Sequence, residues 1–243
     1  MHFASRYAAF ISVAALCLGL TACSDRTTDT AKQINREIEA SKSISDPVAA
    51  LAKLDPLQGK ARETLNDCEM VCGSIVKAVR NLNDERMTRI MQSMDKLSPA
   101  KLAEYFDGDA VLVLQDDMAP RILAAAQAST GTAVNSRLLR VAGQIVRDGK
   151  YVIRSSDKAA ELFARAWLAG DPTAAANNAQ LYDSLHDLNN AYLWALRCKG
   201  ACRLDDAYRP VNPESLRSRL STAAIRQAEQ AALDPTVLAL AGR

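Results

Sequence analysis

The sequence has few aromatic residues and almost no histidine. Phe, Trp and Tyr make up 5% of the 243 residues, and the two histidines are His2 and His186. Sheets favour aromatic and β-branched side chains, whereas alanine, which is abundant here, is the best helix former. The composition therefore disfavours a β-sandwich, and we predict an all-α fold of close-packed helices.

Catalytic motifs are also lacking. The sequence contains no G-x-S-x-G, no H-E-x-x-H and no glycine-rich phosphate loop. His186, next to Asp187, falls between two predicted helices and is interpreted as a turn residue and not as a general base. Glu214-Ser215 is similar to the Glu-Ser pair of lytic transglycosylases, but the glycine- and aromatic-rich motifs of that family do not follow it. We predict a protein that is not an enzyme and has no cofactor.

Neither sign of charge predominates. The chain has 30 Lys and Arg against 28 Asp and Glu, and no basic stripe interleaved with aromatics. Nucleic acid is therefore not expected as a partner. Asp116-Asp117 and Asp205-Asp206 lack a histidine or a third ligand, so no metal site is predicted there. Arg217, Arg219 and Arg226 are interpreted as a solvated face.

The apolar run near the start of the chain is short. It extends from Ala8 to Leu20 and follows Arg6. A transmembrane helix needs about 20 apolar residues to cross about 30 Å of hydrocarbon, so this run is too short to be a typical one. A positive residue, an apolar run and then small residues before a cysteine are typical of a secretory signal.

Leu20-Thr21-Ala22-Cys23 resembles the lipobox of bacterial lipoproteins. The resemblance implies that residues 1–22 are cleaved and that Cys23 carries a diacylglyceryl group. Such a group suits a stable anchor, because two or more acyl chains are needed for stable attachment. Ser24 after the cysteine implies sorting to the periplasmic face of the outer membrane. The alternative is an ordinary signal with a free thiol at Cys23. The polar residues 23–45 are predicted to form a flexible tether, or a frayed helix.

Prolines predict where helices begin. Six of the eight prolines follow a side chain that can accept a hydrogen bond from the first helical turn. Proline at the first helical position loses only an N–H that would have been unpaired. The pairs are Asp46-Pro47, Asp55-Pro56, Ser98-Pro99, Asp171-Pro172, Asn212-Pro213 and Asp234-Pro235. We therefore predict an all-helical domain over residues 46–243.

Apolar residues within this domain are spaced three and four apart, as on one face of a helix. One such stripe consists of Leu65, Cys68, Cys72, Ile75, Val79 and Leu82, and another of Val134, Leu138, Val141 and Ile145. The segment Ala110–Leu114 fits either a helix or a strand. We interpret it as helix because no neighbouring segment offers a strand to pair with it.

An internal repeat is visible in residues 157–202. Lys158–Gly170 and Asn190–Gly200 align with matching alanine, leucine and aromatic positions. Together with Tyr182 between them, they resemble the short tetratricopeptide class called Sel-one-like repeats. The resemblance implies antiparallel helical hairpins. The spacing of Trp167, Tyr182 and Trp194 favours core packing over a role as binding aromatics. The family's glycine-rich turn after Tyr182 is missing, and an alanine-rich helical domain without true repeats is the alternative.

Four cysteines remain beyond Cys23, in two C-x3-C pairs. In an oxidising compartment Cys68, Cys72, Cys198 and Cys202 are expected to form two disulfides. Residues i and i+4 of a regular helix are near the upper limit of the disulfide span, so we favour pairing Cys68 with Cys202 and Cys72 with Cys198 across antiparallel helices. Such long loops contribute about 4 kcal/mol in the chain-entropy model. Local bridges stay open as an alternative, and zinc binding by reduced cysteines as a lesser one.

The anchor, the repeat and the missing chemistry together predict a function. We expect a non-catalytic, lipid-anchored helical-repeat protein that binds another protein of the cell envelope. An immunity or inhibitor lipoprotein that neutralises a periplasmic toxin or hydrolase is the alternative. An enzyme acting on peptidoglycan or lipid is a third, less favoured, hypothesis.

Overall fold

A computed structural model describes residues 27–68, 72–108, 113–203 and 211–241. Within these ranges the chain forms helices and no strand, which confirms the predicted all-α class. The contacts divide the chain into two compact units, Met1–Leu97 and Ser98–Arg243, so a boundary lies inside the predicted domain 46–243. None of the helices in these ranges is both long and apolar enough to cross a bilayer.

In the part of the first unit that the structure describes there are three helices. Helix α1 covers residues 27–42, α2 is Pro47–Asn66 and α3 is Gly73–Ser93. Asp46 caps α2, because its carboxylate accepts from the backbone N–H groups of Val48 and Ala49, each at 3.3 Å. The core of this unit is apolar and draws on all three helices: Ala31, Ile34, Ile38, Leu54, Leu57, Ala61, Ile75, Ala78 and Leu82.

Of the two alternatives for residues 23–45, a flexible tether or a helix, residues 27–42 adopt the helix, and this helix is packed. Ile34 is 0% exposed and Ile38 is 5% exposed, both within the core of the first unit. Arg89 of α3 donates to the carbonyls of Ser41 and Ile44 at 3.1 and 3.3 Å, and so satisfies backbone carbonyls at the C-terminal end of α1. The signal for this helix is the spacing Ala31, Ile34, Ile38, which is too sparse to stand out in a polar sequence.

The second unit is an array of eight helices within the described ranges. Short connections join most of them, and neighbours in sequence pack together. The helices are α4 Pro99–Phe106, α5 Gln115–Ala128, α6 Ser136–Asp148, α7 Ser156–Leu168, α8 Ala174–Ser184, α9 Leu188–Arg197, α10 Pro213–Arg217 and α11 Thr222–Leu233. Its apolar core is centred on α8, α9 and α11. Of the predicted stripe on α6, Leu138, Val141 and Ile145 are buried, whereas Val134 lies before the helix and is 78% exposed.

Three of the six predicted proline-led helix starts are confirmed. Asp46, Ser98 and Asn212 each cap a helix whose first residue is proline. Each side chain accepts from a backbone N–H of the first turn, as expected for these residue types. The segment Ala110–Leu114 lies mostly outside the described residues, and its helical interpretation is not tested.

The other three pairs do not start helices at proline. Pro56 lies inside α2, and Asp55 instead accepts two hydrogen bonds from Arg86, at 2.9 and 3.1 Å. Asp234 follows the end of α11 and accepts from Thr236. Asp171 precedes α8 by three residues and accepts from the N–H and hydroxyl of Thr173. The partner of Asp55 is 31 residues away in sequence, whereas Thr173 and Thr236 are turn partners two residues after Asp171 and Asp234.

Helices α6 and α7 approach closely at Gly143. A Cβ at this position would lie 2.7 Å from Cδ1 and Cε1 of the Phe163 ring, which is fully buried. Gly143→Ala gains up to about 1 kcal/mol of helix propensity. Overpacking costs about 1–3 kcal/mol, so with the full gain in propensity we expect a net loss of up to about 2 kcal/mol in chemical denaturation followed by circular dichroism.

Gly59→Ala is the matched control for this prediction. Gly59 is also inside a helix, but a Cβ there meets no atom of the described residues within 4 Å. We expect it to raise stability by up to about 1 kcal/mol. Equal gains from both variants would show that Gly143 is not a close contact.

Candidate functional site

Two of the residue groups singled out in the sequence lie outside the described residues. These are the predicted lipidation site Cys23 and the carboxylates Asp205-Asp206. Nothing in the structure tests the diacylglyceryl anchor on Cys23.

The disulfides are local, and the favoured cross-pairing is wrong. Cys68 is bonded to Cys72 with 5.8 Å between Cα atoms, and Cys198 to Cys202 with 5.2 Å. Both distances are ordinary for a disulfide. Neither pair lies within one helix, because α2 ends at Asn66, α3 begins at Gly73 and α9 ends at Arg197. The unfavourable span between positions i and i+4 applies to a regular helix, and the helix is interrupted at both cysteine pairs.

The local pairing predicts the peptides released by trypsin without reduction. Cys68 and Cys72 have no lysine or arginine between them, so they leave on one peptide with an internal bond. Cys198 and Cys202 are expected on peptides bonded only to each other. Liquid chromatography with mass spectrometry detects both products. A peptide joining either early cysteine to either late one would contradict the pairing.

The candidate catalytic residues occupy helix ends. His186 has a φ of 59° in the turn between α8 and α9, and the adjacent Asp187 caps α9 by accepting from the Asn190 N–H at 3.1 Å. The interpretation of His186 as a turn residue is confirmed. Glu214 lies in the first turn of α10, where the helix dipole favours a carboxylate.

Two further sets of charged residues are on the surface. Asp116 and Asp117 lie in the first turn of α5. Arg217 and Arg219 are exposed and pair with Glu229 and Asp183, at 3.0 and 3.7 Å. Exposed pairs of this kind contribute about 0–1 kcal/mol. Within the described ranges, no group of three or more His, Cys, Asp or Glu side chains could hold a metal ion.

The repeat-like segment forms three consecutive helices. Helices α7, α8 and α9 are joined by short turns, and α8 packs against both of the others. The ring of Trp194 is fully buried, and the partly buried ring of Trp167 meets it edge to face with 5.4 Å between centroids. Tyr182 is also partly buried against this core, where burial raises its pKa. Core packing of the three aromatic residues is therefore observed.

Arg197, which the sequence did not single out, lies against the rings of Trp167 and Trp194. Its guanidinium carbon is 4.6 Å from the ring centre of Trp167 and 4.8 Å from that of Trp194. Nη2 donates to the carbonyls of Ala231, Asp234 and Val237, at 3.0, 2.8 and 2.7 Å. Burial lowers the pKa of Arg197. The sequence signal would have been an arginine three positions after Trp194, at the end of a mostly apolar run.

Two of the three side-chain nitrogens of Arg197 make no hydrogen bond to the described residues. Its side chain is 8% exposed, and Nε and Nη1 have no hydrogen-bond partner among the described residues. The faces of the two indole rings supply an electrostatic contact instead. An arginine held this way is rigid, because both the aromatic rings and the three carbonyls fix its plane.

A pocket of about 330 Å³ opens beside this arginine. Its walls combine apolar and charged groups from α7, α9, the turn after α9, and α11: Trp167, Leu196, Arg197, Lys199, Glu229, Ala232 and Leu233. Leu233 is 83% exposed at its edge. The pocket thus presents an apolar wall beside the cationic Arg197 and Lys199 and the carboxylate of Glu229.

Residues 234–241, the strap, run from the end of α11 back to α9 without helical structure. Asn190 holds the strap at Leu240: its Nδ2 donates to the Leu240 carbonyl at 3.1 Å, and its Oδ1 accepts from the Leu240 N–H at 2.6 Å. Val237, Leu238 and Leu240 are half-buried against the core of the second unit. Asn190 and Arg197 are thus the two side chains of α9 that bind the strap's backbone.

The strap is held only weakly by burial. A half-buried valine or leucine contributes roughly 1 kcal/mol. Ordering the backbone of each residue costs about 1–2 kcal/mol. The apolar contacts alone therefore do not offset the ordering of the strap, and the hydrogen bonds from Asn190 and Arg197 decide whether it stays in place.

Comparison with known proteins found no relative. No family model matches the chain, no curated protein matches it, and no solved structure matches it.

Proposed function

We propose that this protein is a non-catalytic, lipid-anchored helical module that binds another protein in the bacterial cell envelope. Cys23 is the proposed attachment point, with a diacylglyceryl group that holds the protein on the periplasmic face of the outer membrane. The Sel-one-like resemblance of residues 157–202 belongs to the same proposal. It is supported by the helical hairpins that α7, α8 and α9 form.

The pocket beside Arg197 is the observation that carries the interaction. Tryptophan and arginine are the residue types that contribute most to binding at protein interfaces. Here Trp167 and Arg197 are already stacked, and Leu233 is 83% exposed at the pocket edge. An apolar side chain of a partner fits the apolar wall, with a neighbouring acidic group facing Lys199.

Intact mass spectrometry of the protein extracted from membranes tests the anchor. We expect a mass from which residues 1–22 are absent and to which the acyl groups at Cys23 are added. Cys23→Ser is expected to remove the added mass and to release the protein from the membrane fraction. An unacylated native product would contradict the lipoprotein proposal.

Photo-cross-linking tests the interaction. A photoreactive amino acid replaces Leu233, and the same replacement at Ile153 serves as the control, since Ile153 is 93% exposed and also lies in the second unit. We expect a discrete cross-linked product in intact cells from position 233 and none from 153. Repeated absence of a product at 233 would contradict the proposal. A captured hydrolase or toxin whose activity falls on binding would identify the inhibitor role.

A further inference from the structure

We propose that the face of α9 carrying Asn190 and Arg197 is a binding site for an extended polypeptide, occupied within the chain by the strap. A partner's segment with apolar residues at the spacing of Val237, Leu238 and Leu240 takes the place of the strap. The inference builds on the proposed interaction function and specifies the chemistry of the partner.

Asn190 binds the backbone of the segment that occupies the site. It donates to the carbonyl and accepts from the N–H of the same residue, Leu240. One residue presents both groups to one side when its backbone is extended, as in an antiparallel strand. The other Nδ2 hydrogen donates to Asp187 at 2.7 Å, which fixes the orientation of the amide. This recognition requires no particular side chain at the bound residue.

The apolar contacts supply the sequence preference. Val237, Leu238 and Leu240 are half-buried against the core, whereas Ala239 and Ala241 are exposed. Arg197 faces backbone carbonyls of the strap, at 2.7 Å for Val237 and 2.8 Å for Asp234. The matching partner is therefore an extended segment with two adjacent aliphatic residues and a third two positions later.

The helix that forms the site is firmly packed, whereas the strap that occupies it is held by few contacts. The helix that provides the site is anchored by Ala191, Leu193 and Trp194, all fully buried. The strap has no helical hydrogen bonds and lies outside both disulfides. Segments with few buried contacts open at the lowest free energy in a folded protein. The strap can thus leave while the helices that bind it stay folded.

A strap-released variant of the full chain tests the proposal. Val237→Asp with Leu240→Asp places charges at half-buried positions and is expected to detach the strap. The probe is a fluorescent peptide with the sequence of residues 234–241, DPTVLALA. Because an occupied site lowers apparent affinity, we expect fluorescence anisotropy to show binding to the variant at least about tenfold tighter than to the wild-type chain.

Two controls locate the binding. A peptide with aspartate in place of the residues corresponding to Val237 and Leu240 is expected not to bind. A photoreactive residue at the peptide position of Leu240 is expected to cross-link to the tryptic peptide containing Asn190. Circular dichroism verifies that the variant keeps its helices.

Three outcomes would overturn the inference. They are no binding to a folded strap-released variant, equal binding to the variant and the wild type, or cross-linking away from α9. The proposed function is tested separately at Leu233. A cellular partner captured there without peptide binding would refute the strap site alone, and peptide binding without a captured partner would refute the envelope interaction alone.

Discussion

Replacement of Arg140 by methionine is expected to lower the free energy of unfolding of the second unit by about 3–5 kcal/mol. Arg140 is 7% exposed and donates to Asp171 through Nε at 2.9 Å and to Asp107 through Nη2 at 2.7 Å. Burial alone lowers the pKa of Arg140, but hydrogen bonds and charges from Asp107 and Asp171 outweigh it and raise that pKa. Without the guanidinium, the carboxylate of Asp171, which is 6% exposed, is left buried without its counter-charge.

The measurement is urea denaturation followed by tryptophan fluorescence. Both tryptophans of the chain, Trp167 and Trp194, lie in the second unit, so the signal reports on that unit. Arg137→Met, one turn earlier on α6 at an exposed position, is expected to change stability by less than about 0.5 kcal/mol. Similar losses in both variants would show that the buried ion pairs are not the cause.

The second large effect is expected for Arg197→Met, with a loss of about 2–4 kcal/mol. A hydrogen bond from a charged donor contributes about 1.5–3 kcal/mol, and Arg197 donates to three carbonyls. Contact with Trp167 and Trp194 adds about 0.5–2 kcal/mol. Two effects reduce the total: the buried charge no longer has to be desolvated, and water replaces some of the lost bonds. Methionine keeps most of the apolar stem, so the loss is attributable to the guanidinium.

Amide hydrogen exchange distinguishes the local effect from the global one. In Arg197→Met the N–H of Leu240 is expected to exchange faster than in the wild type, because the strap loses the bonds at Asp234 and Val237. Arg226→Met, at an exposed position of α11, is the control and is expected to leave stability within about 0.5 kcal/mol. Unchanged exchange at Leu240 would mean that Arg197 does not hold the strap.

Helix starts show where local sequence is sufficient. Ser98 and Asn212 cap the helices that begin at the following prolines, because the cap and the first turn involve only neighbouring residues. Asp55-Pro56 also places a capping side chain before proline but lies inside α2, where Asp55 pairs with Arg86, 31 residues away in sequence. A capping residue before proline is therefore compatible with a helix start and also with a position inside a helix, where the side chain has a distant partner.

The candidate site was predictable only in part. Phe163 and Trp194 stand out as aromatic residues at matching positions of the repeat, and both are fully buried. Trp167 packs edge to face against Trp194 in the core region of the second unit. Arg197 and Asn190 are ordinary polar residues in the sequence. Their roles follow from the return of residues 234–241 to α9, a contact across 37 to 50 positions of the chain.

By itself, the sequence determined the helical class, three capped helix starts and the turn at His186. These follow from alanine content, apolar spacing and capping, which act between residues close together in the chain. Tertiary structure decided that residues 27–42 pack as a helix, that both disulfides are local, and that Arg197 and Asn190 bind the strap. Each of these features depends on where a helix ends or on which distant segment packs against that helix. Both are set by the burial of apolar side chains across the whole unit.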